Sequence, residues 1–229
     1  MWASWPGCAS VSKRGRGGAK PPRLAIDSFG PHSAPMSLFA AAPLQLIEDA
    51  EGGIACWPDW VPGALAEAWF AALLAGVDWS RQRRPMYDRV VDVPRLLAAY
   101  RGDALPAGLP LAEMLQRVQA TAPAPYNAVG LNLYRNGRDS VAMHNDKLHS
   151  IVAGQPIALL SLGATRRMRI RAKGGSRTGI GIDLTPGSLL VMSHASQLSH
   201  EHGIARTARA VGPRISVVFR VRPPQWRQE

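Results

Sequence analysis

From Asn127 to Val221 the chain is cut into six short runs that read as strands, and this punctuation limits the folds open to it. Residues 127–134 alternate, with Val129, Leu131 and Leu133 on one face and Gly130, Asn132 and Tyr134 on the other. Such alternation places one set of side chains in a core and the other set elsewhere. Residues 157–162 form a continuous apolar run, the pattern of a strand covered on both sides. Residues 167–171 alternate again, and 180–184, 188–193 and 214–221 follow, separated by Gly174-Gly175, Pro186-Gly187 and Gly212-Pro213. Upstream the texture is helical. Residues 62–75 carry Pro62 at the start and Gly76 just past the end. Leu111, Met114, Leu115 and Val118 fall on one helical face, predicting a helix over 110–121. Helices followed by many short strands predict an α+β protein built on a β-sandwich or jelly roll.

Residues 1–36 differ from the rest. Lys13, Arg14, Arg16, Lys20 and Arg23 stand against Asp27 among many Gly and Pro, with no periodicity. This reads as a disordered basic arm; a start of translation at Met36 is the other reading. The expected division is an arm over 1–36, one domain over 37–223 and a tail over 224–229. The formal charge of +11 favours a polyanion, nucleic acid being the commonest in a cell, although a basic enzyme would carry the same charge. Hydrophobic residues at 46% and charged residues at 19% describe a globular chain. No apolar run approaches the ~20 residues that span a bilayer, so no membrane partner is expected. Cys8 and Cys56 lie far apart with no disulfide framework, which predicts a reducing, cytoplasmic setting.

His144-Asn145-Asp146 puts an imidazole and a carboxylate on one face if the segment is extended. With a second histidine, such a pair can hold one side of an octahedral metal and leave the opposite side open, the arrangement of non-haem Fe(II) oxygenases. Taken alone, His-x-Asp is a common accident. The further ligand would come from His149, His194, His200 or His202. His200 and His202 alternate onto one face, and spacing leaves both open.

The last strand carries Arg214, Ser216, Val218 and Arg220 on one face and Ile215, Val217, Phe219 and Val221 on the other. Two arginines on a covered face are costly without an anion. A guanidinium pairs bidentately with a carboxylate, so the strand reads equally as a cradle for a small acid or as an edge facing water.

Taken in order, these segments resemble one family. Asn132-Leu133-Tyr134, Gly137, Asp139 and His144-Asn145-Asp146 are followed by Pro156-Ile157-Ala158, Ser161-Leu162-Gly163-Ala164 and Arg167. Pro186-Gly187-Ser188-Leu189-Leu190-Val191-Met192, His202-Gly203 and Pro213-Arg214-Ile215-Ser216-Val217-Val218-Phe219-Arg220 complete the series. Over about residues 54–222 the sequence resembles the AlkB family of Fe(II)/2-oxoglutarate dioxygenases, which repair alkylated nucleic acid bases. The resemblance implies a double-stranded β-helix (jelly-roll) core with N-terminal packing helices. It implies Fe(II), 2-oxoglutarate and O2, with His144, Asp146 and His202 as iron ligands. His202 is preferred over His200 because the family sets its distal histidine twelve residues before the first arginine, as His202 stands to Arg214. Arg214 would sit near the metal end of the cosubstrate and Arg220 would pair with its far carboxylate. Asn132 and Tyr134 would hydrogen-bond the same molecule. Ser216 stands where many members have Asn. The implied reaction consumes 2-oxoglutarate and O2, forms succinate and CO2, and removes an N-alkyl group as an aldehyde.

A target base must leave its stack to reach such a centre. Arg81, Arg83, Arg84 and Arg89 flank Met86 and Tyr87, where the family has its wedge loop, and Arg167, Arg169 and Arg171 would form a basic strip. Two departures concern the base pocket. Tyr100-Arg101-Gly102-Asp103 is not followed by the aromatic pair many repair members carry, and Leu148 stands where they often have an acid. Alkylated nucleic acid is the expected substrate; a protein or small molecule handled by the same chemistry is the alternative.

Overall fold

The computed structural model describes residues 42–86, 89–175 and 178–224. The arm expected over 1–36, most of the 224–229 tail, and Tyr87 lie outside the described residues. The first helix, α1 (Gly63–Gly76), buries Ala66, Trp69 and Leu73; the second, α2 (Leu111–Thr121), buries Leu111, Met114 and Val118. Those spacings of three and four put each trio on one stripe. Trp69 ties the helices together, its Nε1 donating to Glu113 Oε2 at 3.4 Å.

Beneath the helices lies a large sheet. Its strands are β1 (Leu44–Ile47), β2 (Ile54–Trp57), β3 (Ser80–Met86), β4 (Arg89–Arg101), β5 (Ala128–Tyr134), β7 (Ile157–Gly163), β10 (Ser188–Met192) and β12 (Arg214–Arg220). The spatial order is β1-β2-β10-β7-β12-β5-β4-β3. A smaller sheet, ordered β6-β11-β8-β9, is made of β6 (Val141–His144), β8 (Arg166–Ala172), β9 (Ile180–Leu184) and β11 (His200–Ile204). Strands that switch between two sheets around a shared interior give the jelly roll.

Two apolar clusters explain the layering. Ala158, Leu160 and Leu162 of β7 join Val129, Leu131 and Leu133 of β5 and Ile215, Val217 and Phe219 of β12 against the helices. Ile157 and Leu159, on the opposite face of β7, meet Met168 and Ile170 of β8, Ile204 of β11, and Met192 and Val218. β7 is therefore covered on both sides, which is why its sequence is unbroken apolar. Each large side chain fully buried in this way contributes about 1.5–3 kcal/mol. The β7–β8 turn passes through Gly163 at φ +77, where a Cβ would lie 2.5 Å from both Phe70 and the Pro213 carbonyl.

The expected strands over 180–184 and 214–221 match β9 and β12 to within a residue, and both expected helices are present. Not anticipated were the β1–β2 pair, the long β3–β4 hairpin, β6 as a strand and the short helix α3 (His194–Ser199).

Candidate metal and cosubstrate site

Strand β6 ends at His144, and Asp146 follows two residues on, before a 3-10 turn at Leu148–Ser150. β11 runs antiparallel to β6 and sets His202 opposite His144. Opposed residues of an antiparallel pair share a face, and the two rings meet with centroids 4.6 Å apart. The pairing slips between His202 and Ile204, where Gly203 sits. A Cβ at 203 would lie 3.0 Å from the Ala142 carbonyl and would force β6 away. His200 instead pairs with Ala172, and its Nδ1 is 2.8 Å from Ser199 Oγ. Of the two histidines left open by alternation, His202 is the one the fold brings to His144.

The electrostatics suit a cation. Burial alone would raise the Asp146 carboxyl, but the Arg220 charge and hydrogen bonds outweigh it, helped by His202 and His144, and bring it down to about 2. Arg220 grips the carboxylate as a fork, Nε to Oδ2 at 2.8 Å and Nη2 to Oδ1 at 3.0 Å. Burial, then the neighbouring His144, pushes His202 down to about 4, so its ring is neutral at physiological pH. His144 Nδ1 lies 2.9 Å from the Ala142 carbonyl, which only accepts; the ring proton is therefore on Nδ1 and the Nε2 lone pair is left for a ligand.

Two imidazoles and one carboxylate are the donor types of a facial triad. Among the described residues no group of three His, Cys, Asp or Glu is already gathered as a metal cluster. Both Asp146 oxygens are turned to Arg220, but each has a second lone pair, so the carboxylate can keep that ion pair and still bind a metal. The residues fit Fe(II).

The two arginines of β12 behave differently from each other. Arg220, on Asp146, stands at the metal end, and Arg214 begins the strand six residues away, roughly 20 Å along it at the usual rise. Counted from Asp146, this is the opposite order to the expected one: Arg220 is the near arginine and Arg214 the far one. The reason is register. Arg214 pairs with Tyr134 and Gly163, whereas Arg220 pairs with Ala128, at the end of β5 under the loop that carries Asp146.

Arg214 is fully buried; its Nε donates to Ser161 Oγ at 3.0 Å, while Nη1 and Nη2 are buried without a partner. Burial lowers it to about 10, so it remains cationic. Its guanidinium lies 5.2 Å from the Tyr134 ring centre, and Arg166 lies 5.7 Å from the same ring. A buried guanidinium with two orphan nitrogens is costly unless an anion completes it, and a carboxylate has the matching fork geometry. The residues fit a dicarboxylate.

Asn132, Tyr134, Ser216 and Arg220 line one cavity with His144, Asp146 and His202; its volume is about 1590 Å³. Asn132 faces Ser216 across the β5–β12 pair, with Nδ2 3.4 Å from Ser216 Oγ. Of the expected substrate residues, Tyr100, Arg167 and Leu148 do not line it. Tyr100 packs against the helix-side core, because it shares a β4 face with Leu96 and Ala98. Arg167 is exposed and paired with Asp183, as the expected alternation of β8 predicts for its outer face. Leu148 is exposed outside the lining. Met86 ends β3, and Tyr87 lies outside the described residues.

Arg95 is a wall residue that the sequence did not mark out. Its Nε donates to Asn132 Oδ1 at 2.8 Å and its Nη1 to the Ser140 carbonyl at 3.3 Å. Its position next to Pro94 concealed its place on β4; an alternation count across that proline would have put Arg95, Leu97 and Ala99 on the cavity side.

Residues 53–220 match the family described as the 2OG-Fe(II) oxygenase superfamily. The chain belongs to this superfamily, in its AlkB family. Fe(II), 2-oxoglutarate and O2 are the cofactor and cosubstrates of the superfamily, and the chain is a dioxygenase of that class. Alpha-ketoglutarate-dependent dioxygenase alkB homolog 3 of Bos taurus is 30% identical to it, over 74% of the chain and 66% of the relative. The Homo sapiens homolog 3 is 28% identical, over 76% and 68%. DNA oxidative demethylase ALKBH2 of Bos taurus is 29% identical over 49% of the chain and 43% of its own length. In fold, the chain is similar to the solved structure of OsALKBH1, with a TM-score of 0.54 and 12% identity, over 74% of this chain and 96% of that one. No helix among the described residues is long and apolar enough to cross a membrane.

Proposed function

We propose that this AlkB-family chain removes N-alkyl groups oxidatively from nucleic acid bases, with His144, Asp146 and His202 as the iron ligands. The observation that carries the reading is the cavity. It holds the ligand residues and the cosubstrate wall together, and at about 1590 Å³ it exceeds the roughly 300–1,000 Å³ of an ordinary small-molecule site. There is room for a second guest beside 2-oxoglutarate. Lys147, Arg206 and Arg222 line the same cavity, and the whole chain carries +11. Cations so placed suit phosphates flanking an extruded base. A relative bears the name DNA oxidative demethylase.

Bound Fe(II) with 2-oxoglutarate and O2 supplies the oxidation: the cosubstrate becomes succinate and CO2, one oxygen atom enters the N-alkyl carbon, and the carbon leaves as an aldehyde. Arg214, fully buried beside Tyr134 and outside the lining, would receive the distal carboxylate on Nη1 and Nη2, with Tyr134, Asn132 and Ser216 on the cavity wall in front of it. Arg220 keeps Asp146 ionised. Leu159, Met168, Met192, Ile204 and Val218 make the wall apolar and restrict water. Met86 and Tyr87 are assigned the wedge into the vacated stack, and Arg167 with Arg169 and Arg171 a phosphate strip.

Single-stranded DNA bearing 1-methyladenine or 3-methylcytosine tests the proposal. Formaldehyde and succinate should appear in equal amounts, with the base restored. One feature favours a second reading, the same chemistry on a protein or small molecule. Phe and Trp are absent from the described lining, and its one large aromatic, Tyr134, is 3% exposed and assigned to the cosubstrate. Succinate formed steadily with every methylated oligonucleotide left unrepaired would select that alternative.

A further inference from the structure

Asp146 lies beyond the last residue of β6, so the sheet does not hold its backbone. Its N–H is held by a side chain: it donates to Gln197 Oε1 at 3.0 Å. Gln197 is 1% exposed and belongs to the six-residue helix α3, inserted between β10 and the histidine strand β11. Its other end is occupied as well. Nε2 donates to Ser196 Oγ at 3.1 Å and lies 3.9 Å from Met192 Sδ. The amide can turn neither way without breaking a buried hydrogen bond.

The helix is itself anchored. Ser193 caps it, accepting from Ser196 N at 2.9 Å and donating to Asp49 Oδ2 at 2.6 Å. Ser193 N donates to the Gly53 carbonyl at 2.7 Å, and Asp49 Oδ1 accepts from Glu51 N and Gly53 N, both at 2.8 Å. A continuous chain of hydrogen bonds thus runs from the β1–β2 turn through Ser193, Ser196 and Gln197 to the Asp146 backbone.

We infer that Gln197 is a positioning residue that fixes Asp146 for metal binding, a role that rests on the ligand set proposed above. The sheet registers His144 against His202, but a carboxylate on a loop has a wide range of positions, and the Arg220 ion pair by itself leaves its main chain unfixed. Gln197 holds the Asp146 main chain while Arg220 holds its carboxylate, so the residue is fixed at both ends beside the His144–His202 pair. Removing a partner that orients a ligand typically weakens metal binding by roughly 10- to 100-fold.

The test is a Mn(II) titration followed by electron paramagnetic resonance, which reads metal binding without turnover. Gln197→Met keeps the side-chain length and removes the acceptor; Gln197→Glu keeps an acceptor oxygen. The Met variant should bind Mn(II) about ten-fold or more weakly than wild type. The Glu variant should recover most of that loss. At saturating Fe(II), the Met variant should keep its KM for the oligonucleotide, which separates metal positioning from general damage. Mn(II) affinity within two-fold of wild type in a folded Met variant overturns the inference. If that variant does not fold, Ser193→Ala decides: a several-fold loss of Mn(II) affinity supports the chain of bonds, and an unchanged affinity overturns it. Failure of the wild type to bind Mn(II) would instead defeat the ligand assignment itself.

Discussion

Replacing Arg214 by Met should separate stability from function. The guanidinium is fully buried, with Nη1 and Nη2 unpaired. In the ligand-free protein its favourable contacts include the Nε bond to Ser161, the Tyr134 ring at 5.2 Å and the polar influence of the Tyr134 side chain. A hydrogen bond from a charged donor is worth about 1.5–3 kcal/mol and a desolvated cation–π contact about 2 kcal/mol. Against these stand the several kcal/mol that a desolvated ion costs and the penalty of two orphan donors. Methionine fills the same space without a charge, and Ser161 Oγ retains the Leu184 carbonyl at 3.4 Å. The ligand-free variant should therefore be as stable as wild type or more stable by up to ~3 kcal/mol, a rise in Tm of up to ~10 °C. With cosubstrate the sign inverts. Loss of a buried bidentate carboxylate partner costs about 3–5 kcal/mol, which raises the KM for 2-oxoglutarate by roughly 150- to 5,000-fold. Calorimetry of the ligand-free proteins and succinate release across cosubstrate concentration read the two effects. A variant that melts well below wild type while keeping its KM within three-fold would refute this reasoning.

His202→Ala should abolish succinate release, and His200→Ala should leave it within a few-fold of wild type, because only His202 faces His144. Gly163→Ala should lower stability by at least about 2 kcal/mol, seen as a Tm at least ~4 °C lower, since it adds a side chain at positive φ beside the Pro213 carbonyl. Cys56, buried and pushed up to about 11, should resist iodoacetamide at pH 8 in the native chain and react on unfolding, as read by peptide mass spectrometry. Burial opposes ionisation of Asp139, but the Arg135 side-chain and backbone hydrogen bonds prevail and lower its pKa. A folded pKa below the unfolded one gives stability that is whole above the ordinary carboxylate range and fades as pH falls below it. Asp139→Asn should therefore flatten the acid limb of a Tm-against-pH curve.

Alternation was the legible part of this fold. Val129, Leu131 and Leu133 face the helices and Asn132 and Tyr134 face the cavity because a strand has only two sides, and the same logic assigned every residue of β12. The helices were legible from Leu111, Met114 and Val118 and from Pro62 and Gly76. Register was not. Which end of β12 meets Asp146 depends on how that strand pairs with β5, a long-range fact that no local spacing encodes, so the order of Arg214 and Arg220 from Asp146 was not legible. Alternation put Tyr100 on the core side only once β4 was known to be a strand, and Pro94 and the arginines around it had masked that strand. α3 escaped because six residues carry too little periodicity to register, and with it went Gln197.

An anaerobic titration of Fe(II) and 2-oxoglutarate into the purified chain, followed by the charge-transfer absorption of their joint complex, tests the metal and cosubstrate assignment most directly. One equivalent of each should bind in wild type, with no such absorption in Asp146→Ala or His202→Ala. Equal absorption in wild type and both variants would mean that iron is held elsewhere.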